Sequence, residues 1–340
     1  MTLAFYLFGL TFPQLFFGPL SDAIGRKKVI FPGLFIALVG SLVCMQANDI
    51  YWLNGGRFLQ GLGIGAITAS ARAITRDVFE QQELARVVAM MGFSVALAPA
   101  LAPLVGATIA HHFGWRAVFV SMTLIILLCS VLVAVFLPES NLKRSASSFR
   151  YRVILQNYAA LFKMPLFVRN MLFSACAFSI IMIYFTISPY LFEHTLQVSV
   201  THYAWICFTL VMVMMFSRLV NFKALKRFDV ARLINFGFFV VTAGVLLLLI
   251  LNSVMVTAVW TVMLPFAIIL SGISFIFGNV MTLALSECRH MAGTAGALYS
   301  TVQVLVAGVL SFIASKVPSD SVLPMGWLFF AVTAFALGLI

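Results

Sequence analysis

The chain has 340 residues, of which 63% are hydrophobic and only 9% charged, with a formal net charge of +11. A water-soluble domain of this length carries about a quarter charged residues, so too little polar surface exists here to cover a soluble globule. The bases fall between apolar segments, which sets aside nucleic acid as a partner and points to a lipid bilayer.

Apolar runs long enough to cross hydrocarbon predict helices over 2–17, 29–46, 50–71, 86–110, 115–137, 167–189, 201–220, 232–251, 255–281, 291–314 and 322–340. The expected fold is an all-α membrane protein with eleven transmembrane helices, five plus six. An N-terminal bundle occupies 1–137, a polar cytoplasmic loop 138–166, and a C-terminal bundle 167–340. The first run has no basic leader and ends in Pro19-Leu20-Ser21-Asp22 rather than a small-residue cleavage site, so it is a span and not a signal peptide.

The loops alternate in charge. Arg26, Lys27 and Lys28 fill the first, Arg72, Arg76 and Arg86 flank the third, and Lys143, Arg144, Arg150, Arg152, Lys163 and Arg169 fill or border the fifth. Arg218, Lys223, Lys226, Arg227 and Arg232 flank the seventh, and Arg289 the ninth. Loops 47–49, 190–200 and 252–254 contain no Lys or Arg, and only Arg116 and Lys316 fall on their side. By the positive-inside rule the basic loops are cytoplasmic. Met1 is then outside and the C-terminus inside.

The turn Gly18-Pro19-Leu20-Ser21-Asp22-Ala23-Ile24-Gly25-Arg26-Lys27-Lys28 concentrates one acid and three bases. Gly18 and Gly25 allow close approach and unusual dihedrals. Asp22 is able to accept charge-assisted hydrogen bonds from a base or a helix N-terminus. A contact of that kind is either a bistable latch between helices or a solvated loop that only fixes orientation. Residues 217–227 align with 18–28 without gaps: Asn221 stands where Asp22 does, and Lys226-Arg227 match Lys27-Lys28. The first turn follows one span of its half and the second follows two, so this reading expects one N-terminal span to be missing from a six-plus-six repeat.

Arg57 lies about a third of the way into its span, where an uncompensated charge costs at least a few kcal/mol. It either faces a partner or snorkels outward. None of the ten acids lies near the middle of a span. Pro99 and Pro103 remove backbone donors and bend their helix, while Gly106 and the alanines around it suit close packing or a sliding contact. The 34 Phe and 16 Met suit an adaptable apolar binding surface, with Tyr6, Tyr184, Tyr203, Asn279, Tyr299 and Gln303 as candidate polar handles. Cys44, Cys129, Cys176, Cys207 and Cys288 are scattered singly, so no metal site or disulfide is expected. No cofactor is expected, and no span carries a hydrolytic constellation.

The 18–28 turn resembles the loop motif between helices 2 and 3 of the major facilitator superfamily. Arg57-Phe58-Leu59-Gln60-Gly61-Leu62-Gly63 resembles the helix 4 motif of its proton-coupled exporters, and Ala98–Gly106 their helix 5 antiporter motif. That last stretch departs from the pattern at Ala102 and Ala107, where glycines usually stand. The twin-proline form is similar to the Bcr/CflA group of drug exporters. The resemblance implies a twelve-helix fold lacking helix 1, a gate at Gly18, Asp22, Gly25, Arg26, Lys27 and Lys28, and proton coupling through Arg57 and Gln60. It also implies a helix adapted to antiport around Pro99, Pro103 and Gly106. The implied activity is proton-driven export of small apolar drugs from a bacterial inner membrane by a monomer. An uptake or facilitator transporter of the same fold, or an inactive truncated one, is the alternative.

Overall fold

The computed structural model describes residues 1–79, 81–140, 151–288, 291–318 and 321–339. Among these, regular structure is helical throughout: α1 Thr2–Ile24, α2 Lys27–Met45, α3 Ile50–Val78, α4 Gln81–Phe113, α5 Trp115–Phe136, α6 Tyr151–Phe162, α7 Pro165–Tyr190, α8 Val200–Ala224, α9 Val230–Val254, α10 Val259–Ser286, α11 Ala292–Ala314 and α12 Leu323–Leu337. Each of the eleven expected spans falls on one helix. The twelfth element, α6, lies in the segment expected to be loop, and α7 continues into a π-helical turn over Leu191–Thr195. At the first turn, α1 runs on through Gly18 to Ile24, so only Gly25 and Arg26 separate it from α2.

The chain forms two compact units. One comprises Met1–Val95, Ile109–Lys163 and His290–Gly308, and the other Ala96–Thr108, Met164–Arg289 and Val309–Ile340. Thus α4 and α11 each contribute residues to both.

In the first unit α3 is the central helix, packed by α1 and by α2, with α5 against α2. Small residues make this possible, since apolar contact offers little net gain between helices already in lipid and association needs close van der Waals fit. A methyl group on Gly61 would overlap the Tyr6 carbonyl, and one on Gly63 the Gly33 carbonyl; at Gly40 it would lie 2.6 Å from the Gln60 nitrogen. Gly61 and Gly63 therefore admit α1 and α2 on different faces of α3. On α5, Leu124, Ile125, Leu128, Val131 and Val135 are exposed, which suits contact with acyl chains.

In the second unit α10 packs against α7, α8 and α9, and α12 against α7 and α9. Its core includes Tyr184, fully buried, with its ring stacked on Phe266 at 3.7 Å, and Phe266 facing Phe329 at 5.9 Å. The small-residue device recurs: a methyl on Gly272 would lie 2.6 Å from the Gly237 carbonyl oxygen.

All five tryptophans fall within the first six residues of a helix: Trp52 on α3, Trp115 on α5, Trp205 on α8, Trp260 on α10 and Trp327 on α12. Each is 45–63% exposed. On α3, α5, α8 and α10 the opposite end approaches a basic loop, whereas no Lys or Arg follows Trp327 on α12. Exposed tryptophan near a helix end suits a membrane–water interface.

Gly63→Ala is expected to lower stability by about 1–3 kcal/mol through overpacking against Gly33 and Ala37. Gly55→Ala, where an added methyl meets nothing within 4 Å, is expected to be neutral or stabilising by up to about 1 kcal/mol from helix propensity. Thermal unfolding of the two variants in detergent checks the contrast.

Candidate functional site

The first unit holds two polar assemblies, one at the α1–α2 turn and one along α3. Gly25 takes φ 111°, in the region that favours glycine, and its N–H donates to Ser21 O at 3.1 Å, closing α1. Arg26 then begins α2 with no capping side chain of its own, followed by two more bases. Three positive charges at a helix N-terminus oppose the helix dipole, so the arrangement needs acids from elsewhere.

Two segments supply them. Glu139, just beyond α5, accepts from Arg26 N–H at 2.9 Å and from Lys27 N–H at 3.3 Å, capping α2 from outside the helix. Asp77, in the last turn of α3, accepts from Arg26 Nε at 2.8 Å and from Nη2 at 3.4 Å. An acid is unfavourable at a helix C-terminus by itself; here the buried guanidinium compensates it. Arg26 Nη1 also donates to Ser21 Oγ at 2.6 Å, and Lys27 Nζ to Ala134 O at 3.2 Å. The turn is thereby tied to α1, α3 and the end of α5.

This alters the expected roles. The Asp22 side chain, expected to be the acceptor, lies outside the described residues. Asp77 and Glu139 hold the bases, and neither was singled out in the sequence. The signal for them was chemical: a helix opening on three bases without a cap. Gly18 sits within α1, and a methyl there would meet nothing within 4 Å. The close approach expected of it is not made among the described residues, and within this turn it is Gly25 that uses glycine's freedom. Lys28 is exposed.

The second assembly lies on α3, about 10 Å from its N-terminus at 1.5 Å per residue. Arg57 Nη1 donates to Gln60 Oε1 at 3.1 Å, Gln60 Nε2 donates to Ser41 Oγ at 2.7 Å, and Ser41 Oγ donates to Ala37 O at 3.0 Å. The guanidinium carbon lies 5.3 Å from the Tyr6 ring centre and 5.8 Å from that of Phe119. Among the described residues no carboxylate lies within salt-bridge distance of Arg57. Insertion of an arginine costs about 2.5–3.5 kcal/mol, and two desolvated cation–π contacts return about 1–2 kcal/mol each. The rings and Gln60 thus offset part of the cost of holding the charge. Arg57 and Gln60, expected together, are joined by Tyr6, expected separately as a polar handle; Ser41 and Phe119 were not anticipated, because the link runs between helices.

The other candidates divide. In the second unit the Tyr203 hydroxyl shares a 2.7 Å hydrogen bond with Ser188 Oγ, one turn from Tyr184 on α7. Asn279 does not stand as a free polar handle. Its amide donates to Asn221 Oδ1 at 3.1 Å and to Phe275 O at 2.8 Å, joining α10 to α8. The residue that takes the place of Asp22 in the repeat is thus a neutral helix-packing partner. Tyr299 and Gln303 lie one turn apart on α11 and belong to the first unit. On α4, the Pro99 side chain is outside the described residues and Pro103 is half-buried. A methyl on Gly106 would meet nothing within 4 Å, so the close helix approach expected there is not made among the described residues. No group of three metal-ligating side chains occurs among the described residues.

Comparison with known proteins gives this architecture a family. The sequence model of the Major Facilitator Superfamily matches residues 1–311. The chain belongs to the Major Facilitator Superfamily. Within that superfamily it is 26% identical over 325 residues to the bicyclomycin resistance protein homolog of Haemophilus influenzae, covering 95% of this chain and 81% of that protein. It is 30% identical over 315 residues to the multidrug resistance protein MdtL of Shewanella oneidensis, covering 91% and 77%. The chloramphenicol resistance protein of Pseudomonas aeruginosa is 27% identical, covering 96% and 77%. Among solved structures, the crystal structure of a D-xylose–proton symporter superimposes with a TM-score of 0.78 at 16% identity, covering 99% of this chain and 85% of that one. That likeness concerns the fold. Superfamily membership and the apolar helices make this chain a multi-pass membrane transporter and not an enzyme.

Asp77→Asn is expected to destabilise by roughly 1–3 kcal/mol, because a buried guanidinium loses its counter-charge while the pair's exposed side moderates the loss. Arg26→Gln added to Asp77→Asn is expected to cost less than Arg26→Gln alone. Thermal unfolding of the four-protein cycle measures that coupling.

Proposed function

We propose that this transporter exports small, mostly apolar drug-like molecules across a bacterial inner membrane, driven by inward flow of protons. Arg57 carries the reading. It is a fixed positive charge inside a span, held by Gln60 and two rings instead of a carboxylate, and a charge in that state lowers the pKa of any proton-bearing group brought beside it. Proton release and rebinding then follow access to each side in turn. The names of the relatives, which concern resistance to bicyclomycin, chloramphenicol and multiple drugs, favour export of such compounds.

In this mechanism the turn at Gly18, Asp22, Gly25, Arg26, Lys27 and Lys28 is the cytoplasmic gate. Its closed form is the network in which Arg26 meets Asp77 and Glu139, and its release frees the α1–α2 turn from α3 and α5. The gate is bistable because a buried guanidinium tolerates either full pairing or full hydration, with little between. The two halves, 1–137 and 167–340 joined by 138–166, act as the moving bodies of alternating access. Pro99, Pro103 and Gly106 give α4 the bends and open space of a helix that slides. Tyr6, Tyr184, Tyr203, Tyr299 and Gln303 are candidates for substrate contact; Asn279 is assigned to helix packing. The basic loops that follow α3, α5, α8 and α10 support a cytoplasmic face at those helix ends, and helix alternation then gives a cytoplasmic C-terminus. The transporter acts as a monomer.

In inside-out vesicles holding a proton gradient, chloramphenicol or bicyclomycin is expected to draw protons out through the wild-type chain. Arg57→Gln is expected to reduce that drug-induced release to background while the protein still inserts. Unchanged release in Arg57→Gln would remove Arg57 from the mechanism.

A further inference from the structure

The carbonyl of Leu15 lies inside α1, where the N–H four residues on normally serves as its donor. That residue is Pro19, which has no N–H. A carbonyl left without a donor away from water is unfavourable. The missing donor comes from another segment: the Tyr158 hydroxyl of α6 donates to Leu15 O at 3.0 Å. Burial pushes that hydroxyl up to about 12, so it remains protonated and a donor throughout the physiological range. Tyr158 is half-buried and Leu161, three residues on, is fully buried, so this turn of α6 packs against the unit rather than standing free.

From Leu15 the helix continues to Ser21, whose hydroxyl donates to Gly18 O and accepts from Arg26, and then to Gly25. A proline break upstream of this stretch leaves its direction soft, because the break removes one rung of the ladder. We propose that Tyr158 is a positioning residue for transport: by completing the carbonyl that Pro19 leaves open, it fixes the angle at which α1 delivers Ser21 and Gly25 to Arg26 and Asp77. The segment between the halves is thereby tied to the gate through one hydrogen bond. The proposal rests on the reading of the turn as a transport gate.

Hydrogen–deuterium exchange of amides 20–28 in the purified protein tests the bond without any transport assay. Tyr158→Phe keeps the ring and removes the donor; it is expected to speed exchange there about fivefold, the equivalent of one neutral hydrogen bond. It is also expected to slow drug turnover while leaving the half-saturating drug concentration unchanged. Pro19→Ala returns an N–H to Leu15 O, so in that background Tyr158→Phe is expected to alter neither exchange nor turnover. Equal exchange in wild type and Tyr158→Phe, or an equal effect of Tyr158→Phe in both backgrounds, overturns the proposal. Faster exchange with normal turnover overturns the positioning role and leaves the export reading intact. A wild-type chain that moves no drug overturns the export reading, and the exchange comparison still decides the bond.

Discussion

Hydrocarbon offers no partner to a charge or to an open peptide group, and the polar chemistry of this transporter is arranged around that constraint. Arg57 stands on α3 and is met by two aromatic faces and an amide. Arg26 is buried at the start of α2 and is met by a carboxylate from another helix. The carbonyl freed by Pro19 is met by a hydroxyl from α6. In each case at least one partner comes from a different helix.

Helix α3 links these solutions. Its start carries Trp52, its first third Arg57 and Gln60, its middle Gly61, Gly63 and Gly65, and its last turn Asp77. The glycines bring the α1 and α2 backbones close enough for Tyr6 to cover Arg57 and for Ser41 to receive Gln60. The same proximity delivers the α1–α2 turn to Asp77. A bulkier α3 would push both neighbours away and dissolve both assemblies, although neither depends on a glycine side chain. Packing and chemistry therefore cannot be varied separately on this helix.

Sequence reading went further with the fold than with the site. The eleven apolar runs each lie on one helix, and the turn at Gly25 is where the charges require it. The helix α6 was invisible to a search for apolar length, because it is short and sits in polar sequence. The missing cap of α2 was legible as a problem but not as a solution, since nothing in the order of residues says that Glu139, over a hundred positions away, returns to the same place. The prominence of Asp22 drew attention from Asp77, whose position at a helix C-terminus makes sense only beside Arg26. Asn279 resembled a ligand handle because a buried amide needs partners, and those partners proved to be Asn221 and a backbone carbonyl.

Hydropathy and punctuation by Gly and Pro by themselves determined the membrane class and the helix positions. These are local properties, set by what each segment meets when lipid and water compete for it. The carboxylate on Arg26, the rings against Arg57 and the donor to Leu15 were decided only by tertiary structure. Close packing at small residues brings distant segments within 3 Å of one another, and at that range the particular donor and acceptor outweigh any average property of the segment that carries them.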